Sequence, residues 1–132
     1  MQRDRGIRWS TPFVAFVALQ LAIAGLSTTP AAADDLAQCH DASGDVAIAA
    51  CTRAIQSGRL SALNLATAYN GRGYELLLKK EYDRAISDFS EAVRLSPTYG
   101  HAYENRSKAW RAKGDTARAD ADLKRASMAN RP

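Results

Sequence analysis

Cys39 and Cys51, with His40 beside the first, are the residues of this 132-residue chain best equipped for covalent or metal chemistry. Two thiols twelve positions apart can close a disulfide loop, and two thiolates with an imidazole can hold a zinc ion or a redox centre. The metal reading is poorly served by the spacing, because there is no Cys-x-x-Cys pair and adjacent Cys39 and His40 point to different faces of a helix. Thiols that merely fill a core are the third option. Elsewhere the chemistry thins out. His101 stands alone near a helix start, and Asp83, Asp88, Glu91, Asp120 and Asp122 alternate with Arg84, Arg94, Arg118 and Lys124. That alternation predicts a solvated helix surface laced with modest ion pairs rather than a carboxylate pair for acid-base work. The chain has no Gly-x-Ser-x-Gly elbow, no phosphate-binding Gly-rich loop and no His-Glu-x-x-His pair. These residues predict a protein that is not an enzyme and uses no cofactor or metal.

Which cysteine chemistry applies depends on the compartment, and the first 33 residues read as a secretion signal. Arg3, Arg5 and Arg8 give a positive start, Phe13 to Leu26 is almost entirely apolar, and Ala31 and Ala33 place small side chains where a signal peptidase needs them. Cleavage near Ala33/Asp34 would deliver residues 34–132 to the periplasm or the outside. The alternative is an uncleaved membrane anchor, but the 14 residues from Phe13 to Leu26 fall short of the ~20 that span a bilayer core. Membrane contact is therefore expected only if the signal is retained. Arg3, Arg5, Arg8 and Asp4 would leave with it, so 18 basic and 14 acidic residues become 15 and 13. A near-neutral balance gives no warrant for nucleic-acid binding. The remaining length suits one domain with one modest core.

Gly, Asp and Pro punctuate a run of helical patterns, with no alternating stretch that suggests a sheet, so the fold class is all-α. Helices are predicted over Asp35 to Ala42, Val46 to Ser57, Ser61 to Lys79, Tyr82 to Leu95, Tyr99 to Lys113 and Thr116 to Ala129. Asp45, Ser61 and Asp115 are the expected N-terminal caps, Gly114 a turn, and Ser96-Pro97 a stop. Within this series one period recurs: Tyr69, Arg72, Ala85, Phe89 and Ala92 are answered 34 positions later by Tyr103, Arg106, Ala119, Leu123 and Ala126. A register held across a whole helical hairpin marks a repeat, which buries its apolar face only by stacking on neighbours. With the Gly44-Asp45 turn between the first two helices, Cys39 and Cys51 come nearly level on adjacent antiparallel helices. In a secreted chain a disulfide is then the leading expectation.

Residues 66 to 131 resemble the tetratricopeptide repeat family. The segment AYNGRGYELLLKKEYDRAISDFSEAVRLSP carries the family's pattern at Tyr69, Gly73, Tyr82, Ala85, Phe89, Ala92 and Pro97. The second copy keeps Tyr103, Trp110, Gly114, Ala119, Leu123 and Ala126, but has Ser107 where Gly is usual and Thr116 where an aromatic is usual. These are read as core and close-contact positions. Upstream, GDVAIAACTRAI aligns Ala47, Cys51 and Ala54 with Ala85, Phe89 and Ala92. Ala54 to Tyr69 spans 15 positions against 11 from Ala92 to Tyr103, so four extra residues in SGRLSALNL break the period. The implied architecture is a short α-solenoid of about three stacked antiparallel hairpins. Residues 34–60 would form a degenerate capping hairpin, and 61–132 the repeats 66–99 and 100–132.

The resemblance also implies a function: a protein-protein interaction module or scaffold of the bacterial cell envelope whose concave groove is lined by the first helix of each hairpin. By family position the groove would present Thr67, Asn70, Tyr74 and Leu77, then His101, Glu104, Asn105, Lys108 and Arg111. Asn105, Lys108 and Arg111 could hold a carboxylate, so an acidic or C-terminal peptide is the expected partner class. Alternatives are a groove filled by a second copy in a homo-oligomer, a membrane-retained envelope component, a redox or metal site at the two cysteines, and a groove face that is simply solvated.

Overall fold

A computed structural model describes residues 32–130, which form six helices: α1 (Ala32–Asp41), α2 (Gly44–Gln56), α3 (Ala62–Leu78), α4 (Tyr82–Leu95), α5 (Gly100–Ala112) and α6 (Thr116–Ala129). The predicted secretion signal lies outside these residues except for Ala32 and Ala33, which belong to the first turn of α1. No strand occurs among the described residues, and no helix there is long and apolar enough to cross a membrane.

Local chemistry accounts for most boundaries. The Ser61 side chain accepts from the Asn64 amide and opens α3, and Asp115 accepts from the Arg118 amide and opens α6. Gly114 takes φ +85° in the α5–α6 turn, where a side chain would be strained. Its counterpart 34 positions earlier is Lys80, held at φ +62° without that freedom. Asp45 departs from expectation. Helix α2 starts at Gly44, so Asp45 lies inside the first turn. The orphan amide of Gly44 is satisfied across the fold by Glu75 Oε2 at 2.7 Å. Asp45 instead pairs with Lys79 at 2.5 Å.

Consecutive helices pack as three antiparallel hairpins stacked side by side. Among the described residues α1 touches α3 and α3 touches α5, whereas no contact joins α2 to α4 or α4 to α6. The odd-numbered helices therefore line the inner side of the curve. Two apolar clusters run through the stack, one of Leu76, Ala85, Ile86, Phe89 and Ala109 and one of Ala92, Val93, Ala102, Tyr103 and Ala126. A Cβ on Gly73 would lie 2.8 Å from the Phe89 ring, which is why the helices of the second hairpin approach so closely. In the third hairpin Ser107 stands in place of that glycine, and the position equivalent to Phe89 holds the smaller Leu123. Leu123, expected in the core, is 40% exposed, because among the described residues no helix packs on that side of α6. Pro97 is also exposed and acts by ending α4, while Tyr82 and Trp110 are half-buried.

Candidate functional site on the concave face

The inner face can serve as a site only if α3 and α5 are held in fixed orientation, and two copies of one polar device do this. Arg72 makes a bidentate pair with Asp88, with both nitrogen-oxygen distances at 2.8 Å, and Arg106 does the same with Asp122 at 2.8 and 2.7 Å. Each guanidinium keeps a third contact to the hairpin before it, Arg72 to Thr52 Oγ1 and Arg106 to Ser90 Oγ, both at 3.1 Å. Each also lies 5.6 Å from the ring of its own helix's tyrosine, Tyr69 or Tyr103. The carboxylate bonds push both arginine pKa values above the ordinary guanidinium range, against an opposing effect of burial. Asp88 and Asp122 are thus buried, at 6% and 5% exposure, not part of the solvated surface that charge alternation suggested. The signal was available: both the arginines and the aspartates repeat at 34.

The first hairpin is fastened differently. A disulfide joins Cys39 to Cys51, with the Cα atoms 4.7 Å apart. Both sulfurs are consumed by this bond, and a Cβ on Gly71 of α3 would lie 3.2 Å from Cys39 Sγ, so the bridge sits directly against the next hairpin. Asp35 is buried and takes Arg53 Nε at 2.8 Å, which reverses the order of acid and base seen in the other hairpins. Among the described residues no group of three or more His, Cys, Asp and Glu side chains converges as metal ligands.

On the inner face a chain of amide contacts crosses between hairpins. Asn105 Nδ2 donates to Asn70 Oδ1 at 3.1 Å, Asn70 Nδ2 donates to Tyr99 Oη at 3.3 Å, and Lys108 Nζ donates to Asn105 Oδ1 at 3.2 Å. Burial pushes the Tyr99 phenol pKa upward, while bonds from Asn70 and Thr67 pull it the other way. Tyr74 is 42% exposed and Leu63 61%; with Asn70 they share one helical stripe of α3, continued by exposed Leu78. His101 is exposed, 3.3 Å from Glu104, with its ring edge-on to Tyr99.

The structure brings together only part of the expected groove set. Asn70, Asn105 and Lys108 are linked. Leu77 lies on the same side of α3 as Asn70 and Tyr74 but is half-buried, packed against the cluster around Leu76 and Phe89. Arg111 reaches Asp120 of α6 at 3.0 Å, so it is turned away from Lys108 and the expected carboxylate-holding trio is split. Tyr99, Leu63 and Leu78 were missed at the level of sequence. A stripe at positions 63, 67, 70, 74 and 78 carries the helical spacing that could have found the two leucines. The resulting surface offers paired amide donors and acceptors, one free-standing cation and an apolar strip. It can recognise a polypeptide, and it presents no nucleophile with an adjacent base.

Residues 66–99 match the family model for the tetratricopeptide repeat. A 40-residue segment is 45% identical to the probable UDP-N-acetylglucosamine-peptide N-acetylglucosaminyltransferase SEC of Arabidopsis thaliana, a match covering 30% of this chain and 4% of that protein. The chain therefore spans only a small fraction of that relative. No solved structure matches the chain.

Proposed function

We propose that this tetratricopeptide-repeat chain is a non-enzymatic interaction module that holds a peptide or protein segment along the concave face of α3 and α5. The observation that carries the reading is the Tyr99–Asn70–Asn105–Lys108 chain, which places amide groups across two hairpins beside the exposed Tyr74. Asparagine side chains at such a position can pair with a partner's backbone N–H and C=O groups in any sequence, while Lys108 favours an acidic residue or a terminal carboxylate. The apolar strip of Leu63, Tyr74 and Leu78 supplies area to bury. An envelope location after removal of residues 1–33 belongs to the same reading, supported by the bonded pair Cys39–Cys51, which suits an oxidising compartment.

The test is affinity capture from an envelope extract with residues 34–132, beside an Asn70→Ala, Lys108→Glu variant. A protein retained by the wild type and lost by a variant of equal helicity supports the reading. Equal capture moves the site to another surface.

A further inference from the structure

Each junction between neighbouring hairpins uses three equivalent positions on the second helix of the earlier hairpin, and a fourth is apolar and at least half-buried in both. At the first junction Asp45 takes Lys79, Thr52 takes Arg72, Ile48 packs on the cluster that holds Leu76, and Ile55 is half-buried. At the second, Asp83 takes Lys113, Ser90 takes Arg106, Ile86 joins the cluster that holds Ala109, and Val93 joins the one that holds Ala102 and Tyr103. The equivalents on α6, 34 positions beyond Asp83, Ile86, Ser90 and Val93, are Ala117, Asp120, Lys124 and Ser127. All four are exposed. None retains the chemistry of its counterparts.

We propose that α6 is a terminating helix, changed at these four positions so that a further hairpin of this type cannot dock on it. A hairpin built like the third would bring an arginine against Lys124, where Thr52 and Ser90 offer an acceptor. It would bring a lysine to Ala117 with no counter-charge, and apolar side chains onto Asp120 and Ser127. Like charges in contact and polar groups buried without partners oppose such a junction. Asp120 is already engaged by Arg111 within the hairpin. Ordinarily a repeat needs a neighbour on each side or a polar outer face, and Asp120, Lys124 and Ser127 supply polar groups there, beside the exposed Leu123 and Met128. The inference stands apart from the groove reading, since it concerns a different surface.

The experiment places a copy of residues 97–130 directly after Asn130, which keeps the 34-residue register, and follows amide exchange in the added helices. On the natural α6 the added segment is expected to exchange like unfolded peptide. On an α6 carrying Ala117→Asp, Asp120→Ile, Lys124→Ser and Ser127→Val it is expected to slow by at least about 100-fold, as an ordered repeat does. The unextended four-substitution chain must keep normal protection in α5 and α6, and Lys124→Ser alone should give an intermediate slowing. Equal exchange of the added segment on the two faces, protected or not, would overturn the inference.

Discussion

The first hairpin and the second do the same structural task with different chemistry. In the second, Arg72 of α3 clasps buried Asp88 of α4 and reaches back to Thr52, so one guanidinium ties two helices together and ties both to the neighbouring hairpin. In the first, α1 carries no arginine, and a disulfide between Cys39 and Cys51 closes the pair, aided by Asp35 and Arg53. A hairpin with a ten-residue first helix has little apolar surface to bury, so a covalent link that restricts the unfolded chain substitutes for packing. The difference teaches that the repeat is a set of contacts to be satisfied. The aligned side chains are one way of satisfying them.

That comparison can be broken most severely at the charged clasp. Asp88→Ala leaves Arg72 partly buried without a counter-charge, and a loss of about 4 kcal/mol is expected in chemical denaturation. Asp122→Ala opens an equally buried clasp, Arg106 being no more exposed than Arg72, and should cost about as much. Opening the first hairpin comes next. Cys39→Ser, Cys51→Ser removes a loop of about a dozen residues worth up to ~3 kcal/mol, and the loss of exchange protection should concentrate in α1 and α2. Gly73→Ala forces a Cβ to within 2.8 Å of the Phe89 ring, for an expected cost of about 2 kcal/mol. Exchanging Ser107 for Ala, at the equivalent position of the third hairpin, should be nearly silent in the same assay.

Two milder changes sharpen the picture. Lys80→Gly relieves the left-handed backbone that Gly114 already relieves in the next hairpin, and should stabilise by about 1 kcal/mol in thermal unfolding. The smallest expected effect is one of pH. Backbone and side-chain bonds from Arg118 hold the Asp115 carboxyl below its usual value. Its contribution to the start of α6 is therefore complete above the ordinary aspartate range and is lost as pH falls through the lowered folded-state value. Protection of the Arg118 amide, its exchange taken relative to the intrinsic rate at each pH, should fall on acidification while that of α4 is unaffected at the same pH.

Much of this fold was legible in the sequence because helices signal their ends locally. Ser61, Asp115, Gly114 and Ser96-Pro97 mark boundaries within a residue or two of those observed, and the joining of Cys39 to Cys51 was expected from their nearly level places on adjacent helices. What stayed hidden depends on partners far along the chain. Asp88 and Asp122 resemble neighbouring solvated carboxylates until Arg72 and Arg106, 16 positions earlier, are brought over them. Gly44 is capped by Glu75 from another hairpin, which no local reading of Asp45 could reveal. Arg111 was placed on the inner face by helical position, but the long side chain finds Asp120 on α6 instead. Leu123 was read as core because its counterpart Phe89 is core, yet burial there requires a following helix.

The proposed function requires the concave face to be the surface at which a partner is held. The most direct test is a photo-crosslinking amino acid placed in the full-length chain at Tyr74 on that face, or at Arg94 on the outer side of α4, and irradiated in the native host. Adducts of defined mass from Tyr74 and none from Arg94 are the expected result; adducts from Arg94 alone, or equally from both, would contradict it.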